Sequence, residues 1–178
     1  VRADLQASFE EYVAARRPAL LRTAYLLTGD HADAEDLVQT ALVKVVPHWR
    51  RVADRPDPYV RQVLTRESVS RWRRRRWREV STQAPPERGA TGPDLDQREA
   101  LRAALGSLAP RQRAVLVLRY FEDLTEKETA AVLGVAVGTV KSQARDALAR
   151  LRASLPDVDP EGDLDGDVSA AAAGPPPR

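Results

Sequence analysis

Residues 124–151 read "LTEKETAAVLGVAVGTVKSQARDALARL", and few folds accept such a stretch. Thr125 and Glu128 stand three apart ahead of an apolar run, the spacing at which side chain and backbone cap each other reciprocally at a helix start. Gly134 ends that short helix with a residue free to take positive φ. A second helix from near Val137 would bury Val140, Ala144, Leu148 and Leu151. It leaves Gly138, Thr139, Lys141, Ser142 and Arg145 facing outward on its first turns. Ala130 is small where the two helices must approach. An ordinary helical hairpin with a solvated outer face has the same pattern, but so does a helix-turn-helix, in which those outward positions enter the major groove of DNA. There Lys and Arg donate to guanine, and Ser or Thr serve either base type. One departure is Ala136, just before the second helix, which lacks the side-chain oxygen of a usual N-cap.

The remainder of the chain also shows only helical periods. In "DHADAEDLVQTALVKVV" the residues Ala34, Leu37, Val38, Ala41, Leu42 and Val45 form one apolar stripe, with Asp30 as N-cap. The opposite face carries Asp33, Asp36, Gln39 and Thr40. "DRPDPYVRQVLTRESVSRW" starts another helix, with Asp57 expected as N-cap and Pro58 at its first position, where the missing N–H has no partner to lose. Leu5 to Leu27 holds one helix or two, with Pro18 as the breaking point. Further on, "DQREALRAALGSL" and "PRQRAVLVLRYFE" are joined at a proline, Pro110, able to open a helix. The expected fold is therefore all-α, with two small helical domains, 1–80 and 94–155, the second containing the helix-turn-helix. Residues 81–93, "STQAPPERGATGP", have the composition of a flexible linker, and residues 156–178 that of a disordered acidic and Pro-rich tail. Thirteen residues reach at most about 45 Å.

Charge is segregated, which constrains partners more than the formal net charge of +2. Between residues 50 and 80 stand eleven arginines against four acids; between 156 and 178, six acids face one arginine. The densest basic run is "RWRRRRWRE", residues 71–79, at the end of a helix. A polyanion docked there is the natural reading, with Arg73, Arg74 and Arg75 holding phosphate rather than choosing bases. Trp72, three residues after Val69, reads as core, whereas Trp77, about 140° further round the helix, reads as exposed. The chain has no Cys and two His, so disulfides, thiolate metal sites and most catalytic triads are out of reach. With no run of 18 apolar residues and no secretory signature, a cytoplasmic protein without a membrane partner is expected.

Other signals are weaker. "GVAVGTVKS" places glycines before Lys-Ser but at the wrong spacing for a phosphate-binding loop. "DVDPEG" begins like a calcium loop, yet its twelfth position is Val168 and not Glu. Asp33, Glu35 and Asp36 cluster without a nearby His. No catalytic residue, metal or cofactor is expected, and an enzyme acting on nucleic acid finds no metal or nucleophile set here.

"LTGDHADAEDLVQTALVKVVPHW", "DPYVRQVLTRESVSRWRRRRWRE" and "LAPRQRAVLVLRYFEDLTEKETAAVLGVAVGTVKSQARDALARLR" follow one another in an order and spacing that resembles the extracytoplasmic-function branch of the bacterial sigma-70 family. The first resembles regions 2.1 to 2.2, the second regions 2.3 to 2.4, and the third region 4. The resemblance implies a promoter-specificity factor that binds core RNA polymerase and promoter DNA and performs no chemistry itself. It implies that Asp33, Asp36 and Gln39 grip the clamp helices of the largest polymerase subunit. Leu116, Leu118 and Phe121 would dock on the flap of the second-largest subunit. Minus-10 recognition and strand opening would fall to Trp49, Arg50, Arg51, Tyr59, Arg61, Arg71, Arg73, Arg74, Arg75 and Trp77. Minus-35 reading would fall to Gly138, Thr139, Lys141, Ser142 and Arg145. An anti-sigma factor is a further partner the family admits, and no residue here is assigned to it. The alternative is a free-standing helix-turn-helix regulator, whose first domain would need a sensing pocket rather than an acidic face followed by a basic aromatic helix.

Overall fold

A computed structural model describes the backbone of residues 2–78 and 93–154, and the side chains of residues 3–72 and 99–154 within them. The linker expected at 81–93, apart from its last residue, and the tail expected at 156–178 lie outside the described residues. All regular structure among the described residues is helical, in the order α1 (Arg2–Thr28), α2 (His31–Val45), a 3₁₀ turn (Val46–His48), α3 (Trp49–Val52), α4 (Pro56–Arg78), α5 (Pro93–Ser107), α6 (Pro110–Leu116), a π turn (Val117–Phe121), α7 (Glu126–Leu133) and α8 (Val137–Ser154).

Helices α1, α2 and α4 make the first half. The Asp30 carboxylate accepts from the Asp33 N–H at 2.9 Å, capping α2 as its sequence requires. The α2 stripe then buries Ala34, Leu37, Val38, Ala41 and Val45 against Ala24 of α1 and Leu64 and Val60 of α4. Of the one or two helices the sequence allowed around Pro18, the structure has one: α1 runs unbroken through Pro18, although an interior proline removes a hydrogen bond and costs about 3 kcal/mol or more. Apolar packing on both sides of Pro18 offsets this, with Phe9 and Tyr12 on one cluster and Leu21 and Ala24 on another. Helix α4 begins at Pro56, so Asp57 lies in its first turn rather than capping it. There its carboxylate faces the positive end of the helix dipole, accepts from the Tyr12 hydroxyl at 2.9 Å and pairs with Arg16 at 3.0 Å, tying α1 to α4. Burial, then this hydrogen bond to Asp57, holds the Tyr12 phenol above its ordinary pKa.

In the second half Pro110 opens α6, as expected. Arg113 is buried, and its guanidinium donates to the carbonyls of Leu105, Gly106 and Leu108 at the end of α5 and of Leu27 at the end of α1. A cation among C-terminal carbonyls is favoured by the helix dipole, which compensates the burial that lowers its pKa. The largest apolar cluster joins Leu26 and Leu27 of α1 to Leu101, Leu105, Leu108, Leu116, Val117 and Leu151. The two halves thus share a core.

Candidate nucleic-acid interface

The helix-turn-helix is built from its caps inward. The Glu128 carboxylate accepts from the Thr125 N–H at 2.8 Å and its hydroxyl at 2.7 Å, while the Thr125 hydroxyl oxygen accepts from the Glu128 N–H at 3.2 Å. These bonds from Thr125 hold the Glu128 carboxyl below the usual range. Gly134 takes φ 67°, and the Val135 N–H returns to the Ala130 carbonyl, closing the turn. Val140 is fully buried with Val115 and Ala130, fixing the rotation of α8. Ala147 is also buried, and Ala144 and Leu148 lie at the edge of the stripe.

That rotation turns Gly138, Thr139, Lys141 and Arg145 to the surface. Ser142 is half-buried, and its hydroxyl donates back to the Thr139 carbonyl at 3.0 Å. Lys141 lies 3.6 Å from Glu126, and Arg145 3.4 Å from Asp146, both at the surface, where such pairs are worth at most about 1 kcal/mol. Both cations are cheaply redirected to a polyanion. Ala136 supplies the start of α8 through its backbone, its carbonyl accepting from the Thr139 and Val140 N–H groups.

On the first half Asp36 and Gln39 are exposed on α2 and Asp33 is half-buried. Asp36 pairs with Arg71 of α4, so a residue expected to grip protein and one expected to hold DNA are bound to each other. Val43 and Val46, 65% and 52% exposed, continue the Asp36–Gln39 stripe toward the end of α2. Sequence reasoning missed them, although their spacing, Val43 four residues after Gln39 and Val46 three after Val43, was the available signal.

The aromatic residues separate sharply. Trp49, expected to take part in minus-10 recognition and strand opening, is 5% exposed; its ring lies 5.0 Å from Phe9 and 5.2 Å from Tyr12, and its indole N–H donates to the Ser8 hydroxyl at 2.9 Å. It is a core residue. Trp72, expected in the core, is 40% exposed at the mouth of a cleft of about 500 Å³ that Asp33, Asp36 and Arg71 also line. Tyr59 is half-buried edge-on to His48. Arg50 and Arg51 are exposed on α3, whereas Arg61 is paired with Glu122 of the second half. The side chains of Arg73, Arg74, Arg75 and Trp77 lie outside those described. Leu116 and Leu118 are buried and Phe121 is half-buried against the shared core, so in this arrangement they offer no open flap-docking surface. Among the described residues no helix is long and apolar enough to cross a membrane.

The described residues thus combine a helix-turn-helix whose second helix turns a polar and basic face outward with a helix, α4, carrying an exposed tryptophan, an arrangement open to DNA. The family model for sigma-70 region 2 matches residues 12–78, and that for sigma-70 region 4 matches residues 98–151. The RNA polymerase sigma-E factor of Streptomyces avermitilis is 46% identical over 153 residues, covering 83% of this chain and 84% of the relative. The ECF RNA polymerase sigma factor SigL of Mycobacterium tuberculosis is 32% identical over 164 residues, covering 86% and 90%. Among solved structures, the sigma factor RpoE in complex with the anti-sigma factor NepR from Bartonella quintana superimposes with a TM-score of 0.63 at 27% identity, covering 85% of this chain and 98% of that one. CnrH in complex with the cytosolic domain of CnrY gives 0.61 at 25% identity, covering 86% and 91%. The chain belongs to the extracytoplasmic-function sigma factors of the sigma-70 family.

Proposed function

We propose that this chain is the promoter-specificity subunit of a bacterial RNA polymerase, with residues 1–80 engaging core polymerase and the minus-10 strand and residues 94–155 reading the minus-35 element. The observation that carries this reading is the coexistence, in one chain, of both sigma regions in order with an exposed α8 reading face and an exposed α2 stripe. No step of bond chemistry is assigned to it. Its work is differential binding: opening DNA costs about 1.4 kcal/mol per base-pair step, and stacking an unpaired base on an aromatic ring returns about 1 to 3 kcal/mol. Among the described aromatic groups that role is assigned to Trp72, which is exposed, and Tyr59, which is half-buried, with Arg50, Arg51 and Arg71 assigned to phosphate. An anti-sigma factor fits as a regulator, since the similar sigma factor RpoE was captured with the anti-sigma factor NepR.

Core assembly tests the first-half assignment. Asp36→Arg sets a like charge beside Arg71 and is expected to weaken binding to purified core polymerase at least tenfold while leaving helical content intact; unchanged assembly would remove the α2 stripe from the interface. For the second half, Arg145→Ala is expected to cost about 1 to 3 kcal/mol at one minus-35 position and to relax the base preference there. A uniform loss across all sequences would instead make Arg145 a phosphate contact.

A further inference from the structure

One face of α4 lies on the second half of the molecule. Arg61 Nε donates to Glu122 Oε2 at 2.8 Å, and the Thr23 hydroxyl of α1 donates to the other oxygen of the same carboxylate. The next residue, Gln62, donates from Nε2 to the Ala131 carbonyl at 3.4 Å, and just over one turn further along α4 Arg66 Nε donates to the Val132 carbonyl at 3.1 Å. The helix-turn-helix turn sits directly under Arg66: a Cβ added to Gly134 would lie 3.2 Å from its Nη2. From the opposite side, Arg113 and Arg102 reach back to the Leu27 and Gly29 carbonyls at 2.8 and 3.1 Å.

Most of these polar contacts are single bonds from a side chain to a backbone carbonyl. Water replaces such bonds when surfaces part, so each weighs little in the balance between closed and open forms. Polar contacts of this kind do not by themselves hold two halves of one chain together; here they flank the apolar contact of Leu26 and Leu27 with the second half. Glu122 differs. It is an anion with only 18% of its side chain exposed, paired with an arginine 21% exposed, and its two oxygens are divided between α1 and α4. Removing one member of such a pair strands a partly desolvated charge, whereas parting the pair in water rehydrates both. The backbone fixes Glu122 in place: it caps the π turn, returns its N–H to the Val117 carbonyl at 3.0 Å, and precedes Asp123, which takes the left-handed φ of 50°.

We infer that Glu122, held by Arg61 and Thr23, is an intramolecular latch that keeps the free chain closed and is released when the chain engages polymerase. In the closed form Arg61 and Arg66 are each committed to a group of the second half, and Leu116 and Val117 share a core with Leu26 and Leu27 of the first half. Closure therefore withholds cations of α4 from DNA and an apolar surface of the second half from a partner. The withheld partners rest on the function proposed above; the latch itself does not.

The test uses the full chain, which has no native cysteine, so Glu11→Cys and Ala149→Cys, both at exposed positions, take a donor and acceptor dye cleanly. In the absence of polymerase, Glu122→Arg and Arg61→Glu should each raise the fraction of open, low-transfer molecules at least tenfold, and the double exchange should return it to the starting value. Circular dichroism of each variant separates opening from unfolding, and recovery in the double exchange does so again. Singles that leave energy transfer unchanged, or a double exchange that stays open, would overturn the latch. Adding core polymerase should then open the unmodified chain. If the variants behave as a latch requires and polymerase opens none of them, the latch stands and the polymerase reading fails.

Discussion

Val140→Asp is expected to unfold the second half of the molecule and to abolish its DNA binding. Val140 has no exposed surface, and its neighbours Val115 and Ala130 offer no donor to a carboxylate. Burying an unpaired charge is among the few mechanisms that cost a domain more than about 4 kcal/mol, a large part of the total stability of a unit this size. The same substitution at Val137, three residues earlier and 38% exposed, should change stability by about 0.5 kcal/mol. Urea denaturation of the two full-length variants, followed by circular dichroism, makes the comparison. Equal stability would mean that α8 is rotated differently, and the reading face assigned to Gly138, Thr139, Lys141, Ser142 and Arg145 would turn with it.

Trp49→Ala should destabilise the first half by about 3 to 5 kcal/mol, the usual cost of deleting a buried indole. Its cavity would open between Phe9, Tyr12 and Val60, where α1, α3 and α4 meet. Trp72→Ala should leave the melting temperature nearly in place and instead weaken capture of single-stranded minus-10 DNA by the polymerase complex, by about 1 to 3 kcal/mol if one base stacks on it. Melting curves and strand binding of both variants separate these roles. If Trp49→Ala melted normally and lost only strand binding, the positions of the two tryptophans described above would be wrong.

These two residues show where sequence is a good guide and where it is not. Local signals survive translation into structure because the interactions they encode are local: the Asp30 cap, the Thr125–Glu128 box, the left-handed Gly134, Pro110 at a helix start, and the buried stripe of α2. Trp49 is buried and Trp72 exposed, the reverse of the expectation, because their burial depends on elements distant in sequence. Phe9 and Tyr12 cover the one, and the open cleft beside α2 exposes the other. Pro18 reads as a breaker, yet packing on both sides of it outweighs the lost hydrogen bond. The candidate site behaved similarly. The outward face of α8 follows from periodicity, but nothing in the pattern says that Arg61 pairs with Glu122, sixty-one residues away, or that Leu116 shares a core with Leu26. Side-chain bonds to carbonyls of another segment leave no trace in hydrophobic spacing.

The central claim is tested most directly by run-off transcription with purified core polymerase on a template library with randomised minus-35 and minus-10 elements, with and without this chain. Discrete transcripts appearing only in its presence, from templates sharing both elements, are the predicted result. A chain that protects a DNA site on its own, while core polymerase yields the same transcripts with or without it, would contradict the account and point to a free-standing regulator.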